Sequence, residues 1–172
     1  MNTPRVIGLD LSLTATGICL PDGTTHTIKT NAKDGDARLL HIAHTLANAL
    51  APGADLAVVE DLPVHAKSAG ITGMVHGVAR AALLEAGIPY ALVVPATLKK
   101  YATGKGNGDK TPMAIAALKR ANREFGDDNQ CDAAWLRWAG LDWLGHAEFE
   151  LPAAQRASLD KMKWPQLAKA VA

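Results

Sequence analysis

Two carboxylates stand where buried strands call for aliphatic side chains, and this limits the folds open to the chain. In "RVIGLDLSL", residues 5–13, the pattern alternates. Val6, Gly8, Asp10 and Ser12 share one face of an extended segment, and Ile7, Leu9, Leu11 and Leu13 share the other. The second case is "DLAVVEDLP". Here Leu56, Val58, Glu60 and Leu62 share a face, while Asp61 points the other way. An unpaired charge in a core costs several kcal/mol. Asp10 and Glu60 therefore need partners or a site of their own, and if their two strands are neighbours the carboxylates stand side by side.

The remaining pattern gives the frame around them. Thr14 to Gly17 reads as a turn, "GICLP" as the start of a second strand, and "PDGT" as a hairpin turn before a third strand, "THTIKT". Leu39, Leu40, Ile42, Ala43, Leu46, Ala47 and Leu50 recur at helical spacing over residues 36–50, and "APGA" stops that helix. A helix over 67–86 carries Gly70, Gly73 and Gly77. Each interior glycine costs about 1 kcal/mol relative to Ala, so three imply close approach of another backbone, in the chain's own sheet or in a second subunit. "IPYALVVP" is a fifth strand, "ATLKKYA" a short helix and "TGKGNGDK" a loop. A helix over 111–125 has Pro112 in its first turn and Gly126 past its end. Another opens at Asp127 or Asp128 and runs through Trp143. A three-strand meander followed by alternating helices and strands predicts an α/β domain, a mixed five-stranded sheet flanked by helices. The 172 residues suit one such domain over 1–150, with 151–172 as an amphipathic helical extension of it.

Composition narrows the setting. With 48% hydrophobic and 20% charged residues the chain reads as globular. No apolar run reaches the ~18 residues of a membrane span, and the first residues lack a signal-peptide layout. Cys19 and Cys131 form no CxxC pair and read as buried thiols of a cytoplasmic protein. Net charge is only +1, but it is unevenly spread. Lys99, Lys100, Lys105, Lys110, Lys119, Arg120 and Arg123 crowd one segment, with Asp109 inside it and Glu124 just beyond. Such an island is either a solvated helix face or a surface for a polyanion.

A third acidic group, "DDNQCDAAWL", opens the helix that runs through Trp143. Asp128 and Asp132 lie four apart and share a helix face. Several carboxylates at one place repel unless a divalent cation neutralises them. An oxygen-only set favours Mg²⁺ or Mn²⁺, and there is no matching His/Cys set for zinc. A pair of such ions serves phosphodiester hydrolysis. Structural roles compete with this reading. Asp10 can accept bonds from the Thr14–Gly17 turn, Glu60 can pair with a lysine, and Asp127 or Asp128 can cap its helix. Asp132 is harder to dismiss, because it lies one turn inside the helix and precedes a core-facing run.

These segments resemble the RuvC family of Holliday-junction resolvases, within the RNase H-like superfamily, over roughly Arg5 to Trp143. "GLDLSLTATG" resembles the family's first-strand motif, "VVEDLP" its fourth-strand motif and "NQCDAA" its closing motif. "VPATLKKYATGKGNGDKTPM" resembles its segment of a Pro, a lysine pair, a Thr-Gly loop and a helix-opening Lys. The resemblance implies an RNase H-like fold and a homodimeric endodeoxyribonuclease that cuts four-way DNA junctions with two Mg²⁺ or Mn²⁺ ions. It implies Asp10, Glu60 and Asp132 as catalytic metal ligands, with Asp128 assisting and Asn129 reaching the metal. Lys99, Lys105 and Lys110 become DNA contacts. Two positions depart from the family pattern. Asn129 stands where the family has Asp or His three residues before its final Asp. In "DLPVHAK", His65 is the only ring where the family carries an aromatic wedge. "GLDLSLTATG" also resembles the phosphate loop of sugar kinases and actin-like ATPases, whose two-domain build a chain of this length lacks. A non-catalytic nucleic-acid binder is the third reading.

Overall fold

The computed structural model describes residues 3–62, 69–107 and 111–167. Strands β1 (Val6–Asp10), β2 (Ala15–Cys19) and β3 (Thr25–Lys29) form the antiparallel meander. Helix α1 (Ala37–Leu50) leads to β4 (Leu56–Glu60), and α2 (Ala69–Glu85) leads to β5 (Tyr90–Val93). Helices α3 (Pro95–Thr103), α4 (Thr111–Ala121), α5 (Asp128–Trp143) and the single turn α6 (Ala153–Arg156) complete the order. The sheet runs β3-β2-β1-β4-β5, with β4 parallel to both β1 and β5.

The predicted alternation of β1 and β4 decides which layer covers which face. Ile7, Leu9, Ala57 and Val59 pack with Ile42, Leu46, Val75, Ala79 and Leu83 of α1 and α2. Val6, Leu56 and Val58 pack with α3, α4 and α5 on the other face. Helix α5 is the centre of that second layer. Every residue from Ala133 to Asp142 is buried, because the sheet lies on one side and α3, α4 and the chain after Trp143 on the other. Trp135, Trp138 and Phe149 meet edge to face, and Trp143 stacks flat on Trp164. Buried charges in this layer are paired, as low dielectric requires. Arg137 binds Glu148 (2.7 Å) and the Pro21 carbonyl, while Asp142 receives Arg156 and the Tyr101 hydroxyl.

Several boundaries differ from the sequence expectation. Strand β2 starts at Ala15, two residues early, because the Thr16 hydroxyl donates to the Ser12 carbonyl and closes a tighter turn (2.6 Å). Helix α4 stops at Ala121 rather than 125. Asn122 takes φ = 51° there, a left-handed conformation that Asn tolerates, so Gly126 is not its stop. Within residues 151–167 the chain forms the turn α6 and a 3₁₀ turn at Leu159–Lys161. Gly70, Gly73 and Gly77 do not admit the sheet: among the described residues, a Cβ on any of them meets no atom within 4 Å.

Candidate active site

The sheet register brings the two unexpected carboxylates together. Gly8 pairs with Val58 and Leu9 with Val59 across parallel β1 and β4. One residue further, Asp10 comes level with Glu60, at the carboxyl ends of both strands. Both share the sheet face of Val6, Leu56 and Val58, which is the α5 face. Asp61 lies on the opposite face, 3.9 Å from Arg80 of α2. His76, one turn before Arg80, is buried beside this pair, and burial lowers its pKa.

Glycines on the sheet seat α5 against it. A Cβ on Gly8 would lie 2.0 Å from the Ala133 carbonyl oxygen, and one on Gly17 would lie 2.1 Å from that of Asn129. No other residue type permits this approach of helix backbone to strand. Since Asp10 is the register partner of Gly17, the first turn of α5 arrives directly beside Asp10. The Asn129 amide lies against the Ala15 carbonyl and the Asp10 carboxylate. With its nitrogen toward these two acceptors it donates to Ala15 O at 3.2 Å and to Asp10 Oδ2 at 3.3 Å.

That first turn is itself anchored. Asp127, not Asp128, is the N-cap, and its Oδ1 accepts from the Gln130 N–H (3.0 Å). Its Oδ2 accepts from the Thr27 hydroxyl of β3 (2.7 Å), and Gln130 bonds to Thr25 and Thr27 in turn. Burial opposes the charge on Asp127, but the bonds from Thr27 and the Gln130 N–H outweigh it and hold the carboxyl below its ordinary range. Sequence reasoning leaves the cap open between Asp127 and Asp128. The extra signal is the run of β3 threonines, whose hydroxyls point at the helix start.

Asp128 and Asp132 line a cleft of about 460 Å³ between α4 and α5, with Ile115, Leu118, Phe125 and Cys131. Among the described residues, no three His, Cys, Asp or Glu side chains form a group that can hold a metal ion. The structure thus sets Asp10 level with Glu60, Asn129 on Asp10, and Asp128 beside Asp132. The donor chemistry fits Mg²⁺, which is commonly held by one or two carboxylates with substrate phosphate and water supplying the rest.

The basic residues divide. Val93 is the register partner of Glu60, and α3 starts two residues later, so half-buried Lys99 stands one turn from the Glu60 strand end. Lys105 is exposed after Gly104 and lines a cleft of about 870 Å³ with Lys119 and Arg120. Arg123 leaves the basic island for a structural task, donating to the Gly23 carbonyl (2.9 Å) and lying over the Phe125 ring. Lys110 and His65 fall outside the described residues. Both thiols are buried and free, and burial pushes each up to about 12. Among the described residues no helix is long and apolar enough to cross a membrane.

No family model matches the chain, and no curated protein matches it in sequence. Solved structures do match. A Thermus thermophilus RuvC structure superposes with a TM-score of 0.69 at 19% identity, over 85% of this chain and 99% of that one. T. thermophilus RuvC in complex with a Holliday junction substrate gives 0.70 at 20%, over 86% and 99%. The five-stranded mixed sheet, its helix layers and these superpositions establish a RuvC-like, RNase H-like fold for this chain.

Proposed function

We propose that the chain is a metal-dependent endodeoxyribonuclease that hydrolyses phosphodiester bonds in branched DNA, with the four-way junction as its substrate. The observation that carries this is the placement of Asp10 level with Glu60 at two parallel strand ends, under the polar first turn of α5. Like charges side by side at two strand ends repel, and a divalent cation between them relieves that repulsion. Asp10, Glu60 and Asp132 are the proposed Mg²⁺ or Mn²⁺ ligands, with Asp128 as a helper beside Asp132. When bound, two ions supply Lewis-acid polarisation of the phosphate and a water that ionises near neutral pH. The protein's share is orientation. The strand ends fix Asp10 and Glu60, and Asp132 of α5 is proposed to complete the set when the ions bind.

Lys99, Lys105 and Lys110 are the proposed contacts to the DNA backbone, which makes affinity fall as salt rises. The solved relative bound to a Holliday junction substrate supports this choice of DNA. A junction offers two equivalent scissile strands, which suits a two-fold enzyme. The open face of α2 supports a homodimer. Among the described residues nothing lies within 4 Å of a Cβ on Gly70, Gly73 or Gly77, and Ile71 and Met74 are 53% and 42% exposed. A cytoplasmic setting is consistent with two unpaired buried thiols.

The test is cleavage of four-way, flap and linear DNA with Mg²⁺ and with EDTA. Junction cleavage that needs Mg²⁺ and vanishes in Asp10→Asn, with DNA binding kept, is expected. Full cleavage in EDTA would sink the metal mechanism, and absence of cleavage on every substrate would leave a binder.

A further inference from the structure

The family resemblance implies that the Asn129 amide oxygen turns toward a bound ion. Its surroundings ask for the opposite polarity. The two groups facing one end of its amide are both acceptors, the Ala15 carbonyl at 3.2 Å and Asp10 Oδ2 at 3.3 Å. The Ala15 carbonyl belongs to the β2 backbone and cannot turn away. Only an N–H donor satisfies a fixed carbonyl, and the amide nitrogen carries two, one for each acceptor. Turning the oxygen inward would set it against both, so the nitrogen faces Asp10.

We infer that Asn129 is a positioning residue for Asp10, a hydrogen-bond donor that ties the carboxylate to strand β2, and not a metal ligand. This rests on the nuclease reading of Asp10 but makes its own structural claim. The backbone supports it. The Asn129 carbonyl is seated on Gly17, the register partner of Asp10, at a distance that leaves no room for a Cβ. The side chain therefore has little freedom to retreat. Asp127 fixes the same turn to β3 through Thr27. Asp10 Oδ2 is thus steadied by a neutral donor, which orients the carboxylate without cancelling the charge that a cation needs. A carboxylate at position 129 would face Asp10 with like charge and face Ala15 with no proton to offer.

Thermal melts in EDTA, where no ion and no DNA take part, read the hydrogen bond directly. Asn129→Asp, nearly isosteric, should lower Tm relative to wild type. Adding Asp10→Asn should restore at least half of that loss, because the new amide on β1 then donates to the new carboxylate on α5. The swap is a coupling test that a merely space-filling residue would not pass. In single-turnover cleavage, Asn129→Ala should slow the rate at saturating Mg²⁺ roughly tenfold through a misdirected Asp10. The half-saturating Mg²⁺ concentration should stay within about threefold of wild type. Asn129→Asp as stable as wild type in EDTA, or no rescue by Asp10→Asn, overturns the inference. So does an Asn129→Ala enzyme that reaches the wild-type rate only at roughly tenfold higher Mg²⁺, the signature of a lost ligand. If no variant cleaves DNA, wild type included, the nuclease reading fails while the melts still decide the role of Asn129.

Discussion

The two faces of the sheet are built from the same strands and treat the space above them in opposite ways. On the α1–α2 face, Ile7, Leu9, Ala57 and Val59 meet Ile42, Leu46, Val75 and Leu83 in an unbroken aliphatic layer. On the α5 face, the β1 positions are Val6, Gly8 and Asp10, and the residue after the β4 aliphatics is Glu60. Glycine here removes side chains so that a helix backbone can descend, and the carboxylates begin where the aliphatics end. The first face holds the domain together by volume filling. The second trades volume for the approach of one helix turn to one pair of acids.

The largest expected effect breaks only the second face. Asp132→Asn keeps the size of the side chain and removes its charge. Junction cleavage should fall by roughly 10³-fold or more, the scale of losing a preorganised electrostatic contact, while the melting curve stays near wild type. A fully active Asp132→Asn would show that the α5 carboxylate has no part in the site.

The first face should respond in the reverse sense. Leu46 is fully buried between α1 and the sheet. Leu46→Ala should cost about 2–5 kcal/mol of stability through lost contacts and the cavity left behind. Cleavage per folded molecule should be nearly unchanged, measured well below the lowered midpoint. A selective loss of rate would mean that the α1–α2 layer also sets the geometry of Asp10 and Glu60.

Gly17→Ala sits between these extremes. Its new Cβ would fall 2.1 Å from the Asn129 carbonyl oxygen, so the first turn of α5 must lift. About 1–3 kcal/mol is expected for this overpacking, and cleavage should fall with it, because the displaced turn carries Asn129 and leads into Asp132. Stability loss with the full rate retained would show that the seat of α5 on β2 is not needed for the site.

These contrasts explain what is legible in the chain alone. Strict period-two alternation in "RVIGLDLSL" and "DLAVVEDLP" determines both the strands and the faces of Asp10 and Glu60, because a one-residue slip would reverse every side chain. The meander and the α/β crossovers follow from turn chemistry such as "PDGT", where Gly23 does adopt φ = 87°. The end of α4 is not legible, because Asn122, which tolerates a left-handed φ, stops the helix before the better-known signal at Gly126. The glycines of α2 stand out as a special feature, but their surroundings do not. Open space above a helix is a property of the assembled layers. The polarity of Asn129 is equally hidden, since it depends on a β2 carbonyl over a hundred residues earlier in the chain.

The smallest expected effect concerns the clamp that fixes α5 to β3. Asp127→Ala removes the N-cap and the acceptor for Thr27, which should cost about 1 kcal/mol, or roughly 2–4 °C in Tm for a chain of this size. Asp127→Ser keeps a capping oxygen and should recover most of the difference. Asp128→Ser, beyond the cap, should lower Tm less than Asp127→Ala does, so a large loss of cleavage there would speak for its helper role. The pH dependence identifies the charged form as the one that matters. Burial pushes the folded-state pKa of Asp127 up, but the bonds from Thr27 and Gln130 prevail and leave it lowered. Its contribution is therefore complete above the ordinary carboxylate value of about 3.9 and is lost as pH falls through the lower folded value. The gap in Tm between wild type and Asp127→Ala should be constant from neutral pH down to that ordinary value and close below it. A gap that instead closes between pH 7 and 5 would assign the linkage to a different group, and a gap that never closes would show that the cap works as a neutral acceptor.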